Sequence, residues 1–400
     1  MDLTFLHPIK KFFSLILVFL ILNFASLTNS ASDSDIKTIG DNITEGLLSG
    51  SLAPFEISDV NDPNDIISRI AYDADGSCYF ADIDYSNPDR VVWPAARHIK
   101  RTERLAILYR LENDTAKKEE YKAYILKLID YWIAKDYQNS NWWQNQLLCG
   151  NVLGEIGVLM KDDLSFEQLY KFSEMAGRGC FTVDPTLLYY TGANAIDLAM
   201  ASIKFGVITG SRTAIKTAVR VASKELKYSN SEGLKKDGTF FQHGNRLYMG
   251  GYGIDFIRGM STIITMLTGT DFIFTQKQLT PFADFIADGM RKMSFGNILD
   301  PTTMGRSVSR INSQPLPGIV PSLISLANTE EMPRKEEIAD YANSLINNTK
   351  NNYGLNYFDD AKFLVINNSD FYFSFRGGDN KLVYSEIIND ENFLGYNSSF

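Results

Sequence analysis

RHIKRTERLAILYRLENDTAKKEEYKAYILKLIDYW, residues 97–132, carries the reading that settles the fold class. Ile99, Leu105, Leu108 and Leu111 fall at helical spacing with charged residues between them. Tyr121, Ile125, Leu128 and Trp132 resume the pattern after a polar break at 113–117. The spacing predicts two helices in succession across a short turn. Similar patterns recur at 147–160, 165–177, 192–209, 212–227, 254–268, 280–293 and 334–348, while strand-like alternation is nearly absent before residue 360. Such a run predicts a mainly α chain of helical hairpins, either closed on itself or stacked as a solenoid.

On the N-terminal side, residues 33–90 are rich in Asp, Ser, Asn and Pro and read as an irregular lead-in with room for one helix. Before them, Lys10 and Lys11 precede an apolar run, Phe12 to Leu22, that is shorter than a membrane span and followed by small and polar residues. That layout predicts a signal peptide over residues 1–30, cleaved between Ala25 and Ser32, with no stable membrane insertion afterwards and a mature chain that is secreted, extracellular or periplasmic. On the C-terminal side, KFLVINN, DFYFSF and KLVYSEII read as strands in hairpins. The expected organisation is a helical domain over 31–355 and the beginning of a β domain over 356–400, which stops after about three strands, too few to bury both faces of a sheet. Those strands are expected to expose edges and an apolar face and to be protease-sensitive after about residue 355.

Composition narrows the function. A chain that is 44% hydrophobic and 22% charged is globular, and its formal net charge of −9 argues against nucleic acid as a partner. An anionic ligand would need a local basic cluster. Cys78, Cys149 and Cys180 are too few and scattered for a disulfide framework or zinc site, although one pair could bridge. Asn42, Asn113, Asn347, Asn367 and Asn397 each begin an N-x-S/T sequon, the number chance would supply in an Asn-rich chain.

Chemistry gathers in DGTFFQHGNRLYMGGYG, residues 237–253, where glycines free the backbone to present His243 and Tyr252. Tyr252 opens an apolar-periodic segment, so its phenol is expected near a helix N-terminus, where positive potential favours phenolate. A free phenol titrates near about 10, so a basic tyrosine needs cationic help. Arg306 and Arg310 in GRSVSR, four apart and expected on one face, are the candidate source. In TGANAID, Thr191 is expected to cap a helix whose first turn holds Asn194, so that the amide and free backbone N–H groups point at one carboxylate. Asn141, Trp142 and Trp143 lie in a polar stretch where a stacking surface for a sugar competes with a buried Trp pair.

NWW, TGAN, DGTFFQHG followed by Y-x-G-G-Y-G, and GRSVSR, in this order, resemble the polysaccharide lyases that include hyaluronate lyase, chondroitin AC lyase and xanthan lyase. The likeness implies an incomplete α/α toroid followed by an antiparallel β-sandwich, here truncated. It implies that Asn194 and His243 hold a uronate carboxylate, that Tyr252 is the acid/base, and that Arg306 and Arg310 support it. Glu386 and Asn389, in YSEIIN, resemble the E-x-x-N pair that the family supplies from its first β segment, and Asn141, Trp142 and Trp143 its polymer-positioning patch. The implied partner is an acidic polysaccharide, cut by β-elimination in a monomer with no metal or other cofactor required. Gln146, Leu147 and Leu148 replace the family's usual acidic residue, Ile and Gly, and Ala195 its usual basic residue, which bears on substrate contacts more than on chemistry. Two rivals stand beside this reading. An α/α-toroid glycoside hydrolase needs two flanking carboxylates, for which Asp237, Asp255 and Glu155 show no pairing, and a non-catalytic carbohydrate-binding fragment needs only the binding surface.

Overall fold

A computed structural model describes residues 30–310, 313, 315–384, 386–388 and 391–393. The signal-peptide expectation and Asn389 therefore lie essentially outside the described residues. Paired helices dominate. Helix α1 spans Ser30–Ser49, α2 Pro63–Ser68, α3 Ala96–Leu111, α4 Thr115–Lys135, α5 Cys149–Met160 and α6 Phe166–Ala176. They are followed by α7 at Gly192–Thr209, α8 at Arg212–Glu225, α9 at Tyr252–Leu267, α10 at Gln276–Asp284, α11 at Val320–Ala327 and α12 at Lys335–Ile346.

The hairpins are local in origin. Three residues separate α3 from α4, and the Asp114 side chain caps α4 by accepting from the N–H groups of Ala116 and Lys117. Ser165 and Thr275 form capping boxes with Gln168 and Gln278 at the starts of α6 and α10. Along the chain α3, α5, α7, α9 and α11 pack side by side as an inner layer, and α4, α6, α8 and α12 each back onto the inner helix before them. The sequence pattern left ring and solenoid open, and this layering is the α/α toroid.

The stretch expected to be an irregular lead-in with room for one helix holds two, α1 and α2, and a short hairpin. In α1 Ile36, Ile39, Ile43 and Leu47 are buried, and the helix packs against α3, α5, α7 and α9, so it fills the centre of the array. Ile70–Tyr72 (β1) and Cys78–Phe80 (β2) then form a hairpin. Further two-residue hairpins, Gly233–Leu234 (β3) with Phe240–Phe241 (β4) and Ser294–Phe295 (β5) with Ile298–Leu299 (β6), lie inside the helical region, too short to leave an alternating pattern. All three cysteines are buried and free, so no pair bridges. Two sequon asparagines are structural: Asn42 donates to Met266 O and Thr268 O, and the buried Asn367 to Lys292 O and Ser294 O.

After α12 the chain forms an antiparallel sheet from Gly354–Phe358 (β7), Phe363–Asn367 (β8) and Tyr372–Arg376 (β9). Its two faces differ. Phe358, Phe363, Val365 and Asn367 are buried, whereas Leu355, Tyr357, Phe373 and Phe375 are exposed. The strands are thus held on one face, contrary to the expectation that little supports them beyond residue 355, because β8 alternates and Asn367 ties it to the helical body. Glu386–Ile388 (β10) and Glu391–Phe393 (β11) form a last hairpin beside residues 305–309.

Candidate active site

His243 follows β4 in a left-handed conformation, φ 55°, stabilised by a turn in which Arg246 N–H donates to Gly244 O. The chain then returns through Tyr248, whose N–H donates to Phe240 O, and reaches Gly251 at φ 54°, the residue before α9. A Cβ at Gly251 would lie 2.4 Å from Ser307 Oγ, and one at Gly305, also φ 54°, 2.4 Å from the Tyr248 ring. Glycine at both positions lets the loop bearing Tyr252 and the turn bearing Arg306 close on each other.

Glu386 is the hub. Its side chain is 1% exposed; Oε1 accepts from Arg306 Nη1 at 2.7 Å and from His243 Nδ1, and Oε2 accepts from Tyr248 Oη at 3.2 Å. Burial alone would raise this carboxyl, but the His243 hydrogen bond and the Arg306, His243 and Arg246 charges outweigh it and hold the group down at about 2. A carboxylate on Nδ1 makes that nitrogen the donor and leaves Nε2 as the ring atom a ligand can use. Arg306 Nη2 donates to Tyr252 Oη at 3.0 Å, with its guanidinium 5.5 Å from the Tyr252 ring centre, and the His243 and Tyr252 rings meet edge to face at 4.7 Å.

The tyrosine departs from expectation in one respect. Burial raises the Tyr252 phenol above its usual value, and Arg306 offsets that only in part, with Glu386 and Asp255 adding to the rise. The expected net lowering is absent because burial outweighs Arg306, and the Glu386 and Asp255 charges add to the rise. Residues 305–309 form a 3-10 turn from which Arg306 reaches the phenol, and Arg310, just after it, is exposed at the edge of the same cavity.

Asn194 sits in the first turn of α7, 9% exposed, and lines the same cavity as His243, Tyr252 and Arg306, a cleft of about 640 Å³. No partner holds its amide among the described residues. The adjacent backbone N–H groups are not free as expected: Gly192 donates to Glu225 Oε2 at 2.7 Å and Ala193 to Gln242 Oε1 at 3.1 Å. Thr191 precedes the helix but caps nothing with its side chain, donating instead to Glu232 at 2.6 Å. Trp142 and Trp143 are half-buried and line the cleft, Trp142 stacked on Tyr190 at 4.2 Å and 21°. Trp143 opens a π-helical segment, Trp143–Leu148. Asn141 borders the cleft, yet its amide is spent on the loop, donating to Arg90 O and accepting from Trp143 N–H.

A family model for the polysaccharide lyase family 8 N-terminal α-helical domain matches residues 59–350. The chain belongs to polysaccharide lyase family 8. It is 27% identical over 268 residues to chondroitinase-AC of Pedobacter heparinus, covering 64% of this chain and 37% of that protein. To xanthan lyase of Bacillus sp. it is 24% identical over 310 residues, covering 70% and 32%. A solved chondroitinase AC lyase superposes with a TM-score of 0.77 at 23% identity, covering 90% of this chain and 53% of that one. A Paenibacillus xanthan lyase gives 0.65 at 19%, covering 90% and 36%. The chain thus spans about a third of the length of these curated relatives, matching their helical domain.

Within this lyase-family site, sequence reasoning missed Tyr248, Arg246, Gln242, Glu232 and Tyr190. Glu232 accepts from Thr191 Oγ1, Gln242 Nε2 and Gly244 N–H, so it links the His243 turn to the start of α7. Arg246 Nη1 donates to His243 O at 3.0 Å and lies 3.7 Å from Glu386. Four of the five fall within or just before residues 237–253; only their buried contacts, which no linear pattern displays, mark them as supports.

Proposed function

We propose that this chain is a polysaccharide lyase that cleaves uronic-acid-containing glycans of the hyaluronan, chondroitin or xanthan type by β-elimination. One observation carries the reading: a phenol, an imidazole Nε2 and an unpartnered amide face one cleft, with a guanidinium 3.0 Å from the phenol. The proton α to a uronate carboxylate is too weakly acidic for a side-chain base unless that carboxylate is neutralised. Asn194 donates to it through its amide, and His243 does so through Nε2 in the doubly protonated ring whose Nδ1–H is held by Glu386, so the charge that develops as C5 loses its proton is held by hydrogen bonds. Tyr252 as phenolate takes the C5 proton, the released electron pair forms the C4–C5 double bond, the C4–O4 bond breaks, and the same phenol returns the proton to O4. Arg306 favours the phenolate, and Glu386 orients both Arg306 and His243.

The half-buried Trp142 and Trp143 support a stacking role for the polymer, which replacing both with Ala tests by weakened binding of long substrate. Action outside the cytoplasm is supported by the basic-then-apolar stretch from Lys10 to Leu22. The deciding experiment incubates the protein with hyaluronan, chondroitin and xanthan and follows ultraviolet absorbance of the conjugated product. Tyr252→Phe is expected to lower that rate by at least about 10²-fold while glycan binding persists. Near-wild-type product from this variant would overturn the assignment.

A further inference from the structure

Helix α8 and the two residues after it, 212–227, carry five cations and one acid in a chain whose acidic residues outnumber its basic ones, 48 to 39. The acid, Glu225, is buried and accepts from Gly192 N–H at 2.7 Å, and one of the cations, Arg212, is taken by Asp35 at 2.8 Å. Lys216, Arg220 and Lys224 recur at intervals of four, so they form one row about 6 Å apart along the outer face, and Lys227 extends it past the helix end. All four are exposed, and among the described residues none has an ion-pair or hydrogen-bond partner. Helix α4 shows the ordinary arrangement: Glu119, Glu120 and Asp130 are interleaved with its lysines, and Lys122 and Lys135 are held by Asp163 and Asp73 at 2.6 and 3.0 Å. Alongside α8, α10 supplies no screening acid. Its contact there is Gln278 Nε2 donating to Ser223 Oγ at 2.8 Å, and its Asp284 is taken by Arg334 and Tyr228. Like charges four apart on a helix repel, so the row is destabilising unless an anion lies along it.

We propose that this row, Lys216, Arg220, Lys224 and Lys227, is a second, non-catalytic binding surface for the acidic glycan, engaged by polymer that extends beyond the cleft. The proposal rests on the glycan-lyase reading and goes beyond it to how a long substrate is held. Helix α8 runs antiparallel to α7, and the Glu225 contact with Gly192 puts the Lys224 end beside the start of α7, two residues before Asn194. The row therefore leads from the cleft end of the toroid down its outer wall. Carboxylates or sulfates repeating along a flexible chain can meet four unpaired cations without a shaped pocket, and holding the chain there raises its effective concentration at the cleft. Other polyanionic surfaces fit less well. A membrane-bound helix needs apolar side chains beside its cations, and among the described residues no large one is exposed from 212 to 227. Nucleic acid, with a charge about every 1.7 Å along a duplex, is repelled more strongly by a chain of net charge −9.

The test compares the parent with a variant carrying Lys216→Gln, Arg220→Gln, Lys224→Gln and Lys227→Gln, with melting temperature checking the fold. Unsaturated product is followed from whichever of hyaluronan, chondroitin and xanthan the parent cleaves, given as polymer and as tetrasaccharide. At low salt the variant is expected to lose at least about fivefold in kcat/KM on polymer and less than about twofold on tetrasaccharide, and the difference should shrink as salt rises. Calorimetry with chondroitin sulfate polymer should show weaker binding when the same substitutions are made in the Tyr252→Phe chain. An unchanged polymer rate, an equal loss on both lengths, or a row that binds single-stranded DNA or phosphatidylserine vesicles but not chondroitin sulfate overturns this inference and leaves the lyase reading standing. Should the full variant fold poorly, Lys216→Gln with Arg220→Gln should show the same length dependence in reduced size, and its absence overturns the inference equally. No unsaturated product from the parent on any of the three glycans removes the lyase reading; calorimetry then decides the row separately, binding weakened by the substitutions supporting it and unchanged binding overturning it.

Discussion

Glu386 sets the electrostatics of its neighbours in opposite senses. Burial is the main reason the phenol of Tyr252 stays above its usual value, and the Glu386 charge beside Arg306 adds to the rise that Arg306 opposes. Two shifts of opposite sign follow if phenolate is the active form. Arg306→Gln should move the rising limb of kcat/KM to higher pH, whereas Glu386→Gln should move it lower even as the maximal rate falls, about 10²-fold or more, through loss of His243 orientation. Profiles of kcat/KM against pH for the two variants check this; shifts in the same direction would show that the limb belongs to another group. The same carboxylate also links stability to acid. Its folded value of about 2 lies below its ordinary 4.5, so it stabilises the fold above about pH 4.5 and loses that contribution as pH falls towards 2. Glu386→Gln should therefore flatten the melting-temperature decline across that window relative to wild type. At this scale the convergence of His243, Tyr252 and Asn194 on one cavity was legible from glycine spacing and helix starts, and that of Arg306 from its spacing to Arg310. Tyr248 was not, since a buried aromatic in an apolar segment reads as core until its hydroxyl is seen on Glu386.

At the scale of elements, long amphipathic helices were readable, whereas the central one was legible only as room for one helix in an irregular stretch. Ile36, Ile39, Ile43 and Leu47 do fall at helical spacing, but Asp, Thr, Asn and Gly between them gave the stretch the texture of a loop. Position, rather than propensity, accounts for its stability: α1 is ringed by α3, α5, α7 and α9, and Ile39 and Ile43 are fully buried. Ile43→Ala should accordingly cost about 2–5 kcal/mol, the range for truncating a closely packed core residue, measured by denaturant unfolding. A cost below about 1 kcal/mol would place α1 at the periphery of the folding unit. The short hairpins β3–β4 and β5–β6 were illegible for another reason: two residues per strand cannot show alternation, and tertiary closure of the loop, not local preference, pairs them.

For the whole molecule, one dependency crosses the entire chain. Asn194 and Tyr252 are placed by the helical array, but Glu386 arrives from beyond the sheet, through residues 377–384, and is pinned by Val383 N–H donating to Asn245 O at 2.9 Å. That connection is exposed at Lys381, whereas the sheet before it is docked through Phe358, Phe363, Val365 and Asn367. Limited trypsin digestion should therefore leave the body through β9 intact and cut first after Lys381, because exposed loop backbone opens at low free energy while a docked sheet does not. Once severed, β10 is held among the described residues by the Glu386 contacts and by the packing of its hairpin with β11 against residues 305–309, and its departure leaves His243 and Arg306 unaligned. Elimination activity should fall in step with that cleavage while helical circular dichroism stays constant. Activity that survives complete cleavage at Lys381, with the C-terminal fragment removed by gel filtration, would show that the helical array alone positions the chemistry.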